Sequence, residues 1–146
     1  MKSRVINAQS PKTIAVIFET GDEVASTLAA FAKDQQLRAS HFGAIGAFQD
    51  VTLGYFNWEK KQYVPIRVNE QVEVLSLIGD IALENGQPKV HAHVVIGKAD
   101  GSAHGGHLLE AHVRPTLEVI VIESEGEMRK SYDPLSQLQL INLSAG

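Results

Sequence analysis

Three histidines supply the spacing in this chain that can build a defined chemical centre. His91-Ala92-His93 places two imidazoles two residues apart. Side chains alternate between the faces of an extended strand, so both rings point the same way, roughly 6–7 Å apart at the backbone. From there their nitrogens can converge on one ion at about 2.0–2.1 Å. The third ring follows from turn chemistry. Ala99-Asp100-Gly101 reads as a three-residue hairpin loop, with Gly101 in the left-handed position that closes such loops. Residues equidistant from Asp100 then face each other across the hairpin, which sets His107 opposite His93. Gly105-Gly106 is a candidate bulge that would slip this register by one.

The opposite face of the first strand carries Val90, Ala92, Val94 and Ile96, a core-facing set, so the three rings gather on the face away from the core. A single strand histidine is ordinarily a surface or hydrogen-bonded core residue. Three on one face outweigh that reading and point to a divalent metal, zinc first, with nickel and iron accepting the same donors. Three neutral imidazoles leave the fourth tetrahedral position to water or a ligand, and zinc lowers the pKa of such a water toward 7. Glu110, Glu73 and His112 are the candidate proton-handling partners, although an exposed strand residue is the simpler reading of Glu73. His104 and His112 fall on the other parity as ligands.

The elements that must hold these rings are mostly strands. Thr13–Thr20 is rich in β-branched residues, and Gly21 ends it. Asp22 is placed to cap a helix in which Val24, Leu28 and Phe31, with Ala25, Ala29 and Ala32, recur at helical spacing. Two strands, Arg38–Phe48 and Val51–Trp58, follow, with Gly43 and Gly46 marking bends or close packing. Tyr63–Val68 carries Pro65, which suits an edge, and Val72–Leu83 is longer. Asn85-Gly86 is a two-residue hairpin signal leading into Lys89–Ile96. Strands at His104–His112 and Leu117–Glu123 come next, the second nearly continuous in apolar character and expected to be buried on both faces. The tail has a turn at Asp133-Pro134 and a last apolar segment, Leu138–Leu143. Lys60-Lys61 and Arg129-Lys130 read as solvated turns. Phe42, Phe48, Tyr55, Phe56 and Trp58 read as core and subunit interface. One helix against many strands makes an α+β domain on a largely antiparallel sheet, with the helix after the first strand.

Composition closes off other classes. The 146 residues fit one domain, 1–146, and 44% hydrophobic with 21% charged content is ordinary for a folded chain. No cysteine is present, which excludes disulfides, thiolate catalysis and Cys-type zinc fingers and suits a reducing cytoplasm. No window approaches the apolar run of about 20 residues that a membrane span needs, and Met1–Asn7 lacks the apolar stretch of a signal peptide. A net charge of −4 gives the whole chain no pull toward nucleic acid.

From about Val5 to the C-terminus the sequence resembles the plant- and prokaryote-conserved (PPC) domain in its prokaryotic, metal-binding form, the PD1-like DNA-binding protein family. The resemblance rests on Gly43-Ala44-Ile45-Gly46-Ala47-Phe48, Asp50-Val51-Thr52-Leu53-Gly54, Glu73-Val74-Leu75-Ser76-Leu77-Ile78-Gly79, and His91-Ala92-His93 with Asp100-Gly101 and Gly105-Gly106-His107. It implies a compact α+β subunit assembled as a homotrimer, with zinc on His91, His93 and His107. It also implies a DNA-associated role, yet the chain has no Arg-Gly-Arg-Pro AT-hook core, and Asn69-Glu70-Gln71-Val72 replaces the usual Gly-Arg-Phe before Glu73. The expected role is therefore regulatory or interaction-based. The rival is a small zinc enzyme that uses metal-bound water on a small molecule, and a third reading gives the metal a structural role alone.

Overall fold

Two strands of about twenty residues organise the chain. The computed structural model describes residues 1–7 and 10–143, with side chains for 1–2 and 10–143. In chain order the elements are β1 (Lys2–Asn7), β2 (Lys12–Glu19), α1 (Val24–Asp34), β3 (Ala39–Asn57), β4 (Gln62–Val68), β5 (Val72–Glu84), β6 (Gln87–Gly97), β7 (Ala103–Glu123), β8 (Arg129–Asp133) and β9 (Leu138–Ile141). The sheet runs β1-β2-β7-β3-β5-β8-β9, with β4 on β3 and β6 between β5 and β7. Since β3 pairs with both β7 and β5, and β6 bridges the same two, these four strands close into a ring. Only the β5–β8 pair is parallel among the described residues.

The α+β class and the antiparallel sheet are as the sequence implies, but several boundaries differ. The helix follows the second strand, because the polar Lys2–Asn7 segment adds β1 to the edge of β2. The stretches Arg38–Phe48 and Val51–Trp58 form one strand, β3. Gln49-Asp50, which resembles a break, sits where the pairing with β7 shifts register, so the strand bends without ending. In the same way Arg114-Pro115 lies inside β7, where the ladder skips between Val113 and Leu117. The C-terminal half of β7 is buried on one face: Leu117, Val119 and Val121 are fully enclosed, whereas Ile120 is 42% exposed. Arg129-Lys130 is strand β8, not a turn.

Helix α1 lays Val24, Leu28, Phe31 and Ala32 onto the inner face of β6 and β7, where Phe18, Phe48, Leu53, Ile96 and Leu117 complete the core. Each of these side chains larger than alanine contributes about 1.5–3 kcal/mol by leaving water. Phe42 and Phe48 are core, but Tyr55 and Trp58 are half or more exposed, and Lys61 Nζ stacks 3.2 Å above the Trp58 ring. The helix cap is Glu23 rather than Asp22. Glu23 accepts hydrogen bonds from the backbone N–H groups of Ala25 (3.0 Å) and Ser26 (2.6 Å). Asp22 instead accepts from Glu19 N–H at 2.9 Å and closes the preceding turn. Glu23→Ala is expected to lower stability by about 1 kcal/mol, read as a shift in the denaturant midpoint at unchanged slope.

Two tight turns fix the register on which the histidines depend. Asn85 (φ 51°) and Gly86 (φ 76°) form the left-handed pair of a type I′ turn and set Glu84 opposite Gln87. At the next hairpin, Lys98 N–H donates to Ser102 C=O at 2.9 Å, and Gly101 has φ 80°. Pairing then runs without a slip from Gly97–Ala103 to His93–His107, so Gly105-Gly106 makes no bulge against β6.

Candidate metal centre

The three imidazoles are delivered by β6 and the start of β7. His91 and His93 protrude from the outer face of β6 while Ala92 and Val94 enter the core at 5% and 2% exposure. Each offers one ligand atom, and these atoms of His91, His93 and His107 all lie within 4.8 Å of one another. The ring centroids are 5.1–5.3 Å apart, with His93 roughly perpendicular to both partners. The rings thus surround one point without stacking on each other. Zinc takes imidazole nitrogens at about 2.0–2.1 Å, so the three rings would have to close inward to hold it. The donor set fits a borderline ion such as zinc and lacks the oxygen ligands that calcium or magnesium requires.

Electrostatics suit the same use. Burial pushes His107 down to about 4, helped by His91, His93 and Lys130. Burial also lowers His93, with His91 adding to the effect. Both rings are therefore neutral at neutral pH, the form in which an imidazole can bind a metal without displacing a proton. In the metal-free protein folded His107 takes its proton near 4, whereas the unfolded chain takes it near 6.5, so stability present above pH 6.5 is lost as pH falls toward 4. After allowance for solvent screening the loss is on the order of 1–2 kcal/mol. Denaturant titrations at pH 7 and pH 4.5 in the presence of a chelator measure it.

Two groups that sequence reasoning passed over touch these rings. Tyr63, from edge strand β4, stacks on His107 with centroids 4.4 Å apart, and its hydroxyl lies 3.5 Å from His107 Nδ1. Asp80 on β5 stands directly opposite His91, with Oδ2 3.4 Å from His91 Nδ1. The Asn85-Gly86 turn carried this signal, because the register it sets pairs Asp80 with His91 as surely as Glu84 with Gln87.

The expected proton-handling partners are elsewhere. His112 is bound to Asp50 at 2.8 Å, and that hydrogen bond raises its pKa despite slight burial. Glu110 is exposed on β7 opposite Thr52. Glu73 is exposed on β5, paired with Ala47 and Gly97. His104 sits opposite Ile96. None of the four joins the triad: the bent pairing of β7 with β3 carries Glu110 and His112 away from β6, Glu73 pairs with the far end of β6 at Gly97, and His104 lies opposite core-facing Ile96.

Comparison with known proteins places this geometry in a wider set. A crystal structure of a candidate DNA-binding protein from Bacteroides thetaiotaomicron superposes with a TM-score of 0.90 at 27% identity, covering 97% of this chain and 98% of that one. The metal-containing protein AF0104 from Archaeoglobus fulgidus gives 0.83 at 30% identity, over 97% and 96% of the two chains. A plant- and prokaryote-conserved protein from Pyrococcus horikoshii gives 0.84 at 30%, over 90% and 92%. Bifunctional protein GlmU from Synechococcus sp. is 29% identical over 115 residues, 78% of this chain, and the chain spans 17% of that relative's length. The family model of the Plants and Prokaryotes Conserved (PCC) domain matches residues 6–125, most of the sheet and all three histidines. The chain belongs to the Plants and Prokaryotes Conserved domain family.

Proposed function

We propose that this chain is a divalent-metal protein that holds zinc on His91, His93 and His107, built as one domain over residues 1–146 and working in the cytoplasm as a homotrimer with a regulatory, interaction-based role. The observation that carries the proposal is the convergence of the three ligand atoms within 4.8 Å on the outer face of the sheet. The metal-containing relative from Archaeoglobus fulgidus supports it. Trimer assembly is supported by an uncovered apolar patch beside the triad: Ile78 and Ile120 flank Gly43 on neighbouring strands, and they are 61% and 42% exposed, with Ile45 at 61%. DNA enters as a partner through similar proteins described as candidate DNA-binding proteins, those from Bacteroides and Ralstonia, and the net charge of −4 does not favour it.

A second reading, a small zinc enzyme acting on an unknown small molecule, is favoured by the exposure of His93, which leaves that side of the triad open to solvent. The chemistry zinc would supply there is Lewis-acid activation. Elemental analysis with light scattering tests the leading proposal: one zinc per chain and a particle of three times the 15.9 kDa chain mass are expected. A metal-free monomer would overturn it. Titration with AT-rich duplex at two salt concentrations decides the DNA partner, since binding must weaken as salt rises.

A further inference from the structure

Lys130 is the least expected side chain near the triad. It comes from β8, past the matched residues 6–125, in a sequence that reads as a solvated turn. Its side chain is nevertheless only 6% exposed. A buried ammonium is costly unless it is paired. Strand β8 runs parallel to β5 with Lys130 opposite Glu84, and from there the side chain reaches back to Asp80, its Nζ 3.3 Å from Oδ1. That oxygen is buried and accepts no hydrogen bond, so the ammonium is the charge that compensates it. The other oxygen, Oδ2, faces His91 Nδ1 at 3.4 Å. One carboxylate thus spans a buried cation and a metal-ligand imidazole.

We propose that Asp80 and Lys130 are positioning residues for the metal centre: Lys130 anchors the Asp80 carboxylate, and Asp80 holds the His91 proton on Nδ1, leaving Nε2 to the ion. The C-terminal hairpin thereby becomes a working part of the site. Carboxylate–histidine pairs of this kind set both tautomer and ring orientation, and losing the outer partner ordinarily weakens metal binding about 10–100-fold. The charge state agrees. Burial works to raise the Asp80 carboxyl, but His91 and Lys130 outweigh it and hold it below the usual carboxylate range, so it stays ionised. The inference rests on the metal reading for its consequence, although the tautomer it assigns is a property of the metal-free protein.

The test pairs zinc titration calorimetry with nitrogen-15 NMR of the histidine rings in the metal-free protein. Asp80→Ala is expected to weaken zinc binding about 10–100-fold and to shift His91, but not His93, toward the Nε2–H tautomer. Asp80→Asn, which keeps an acceptor, should restore most of the affinity. Lys130→Met should weaken binding in the same direction, Lys130→Arg should restore it, and the double variant Asp80→Ala/Lys130→Met should bind no worse than Asp80→Ala alone. Circular dichroism checks each variant for folding, and the Asn and Arg variants keep the test intact where the truncations unfold. Asp80→Ala binding zinc within about twofold of wild type, with the His91 tautomer unchanged, would overturn the proposal. A wild-type protein that takes up no zinc would overturn the metal reading instead, and the metal-free tautomer would still decide the role of Asp80.

Discussion

Replacing His107 with alanine is expected to weaken zinc binding by more than about 100-fold, beyond the range of an outer-shell loss, while the metal-free fold loses no more than about 1.5 kcal/mol. The asymmetry follows from where the ring sits. Of the three rings only His107 comes from β7, and without it His91 and His93 offer two nitrogens on a single strand. What the fold loses is the stacking of the ring on Tyr63 at 4.4 Å, and an aromatic contact of that kind is worth about 0.5–1.5 kcal/mol. The same substitution should flatten the acid sensitivity between pH 6.5 and 4, because it removes the group whose proton uptake is suppressed by folding. Chelator-competition titration reads the affinity, and urea titration at the two pH values reads the stability. A variant that binds zinc like the wild type would remove His107 from the site.

Gly79→Ala should be among the most damaging small substitutions in the sheet. A methyl group there would stand 2.3 Å from the His91 carbonyl oxygen and 2.4 Å from Phe42 Cζ. The first is backbone of the neighbouring strand and the second is a core ring, so neither can step aside without opening the β5–β6 pairing or the core. Overpacking of this kind costs about 3 kcal/mol or more. Because His91 carries the displaced carbonyl, zinc affinity should fall together with stability. Gly43→Ala is the control: its methyl group would meet only the Leu77 carbonyl at 3.8 Å, an ordinary contact, and should cost less than about 1 kcal/mol. Urea denaturation of the two variants side by side measures the contrast, and equal midpoints would mean that β6 does not approach β5 closely at Gly79.

How much of this was readable in the residues depends on distance along the chain. The facing of His93 and His107 was legible because the loop between them has three residues and a glycine at the position that demands a left-handed backbone. Asp80 was within reach by the same reasoning through Asn85-Gly86, but one acidic residue among the three of a mostly apolar strand draws no attention until its facing partner is named. The lengths of β3 and β7 were hidden, because Gln49-Asp50 and Arg114-Pro115 have the composition of breaks and survive inside strands only through register shifts. The burial of Lys130 could not be read locally at all. Arg129-Lys130-Ser131 has the look of surface, and what covers it is the parallel pairing of β8 with β5, more than forty residues earlier in the chain. Likewise the exposed side of Leu117–Glu123 shows only once β2 and β3 are known to lie beside it.

Anomalous diffraction from crystals grown with zinc, collected on both sides of the zinc absorption edge, bears most directly on whether these histidines form a metal centre. One strong peak per chain, within bonding distance of nitrogens from His91, His93 and His107, is the expected result. A peak bound by other residues, or three rings left without any anomalous density between them at saturating zinc, would contradict it.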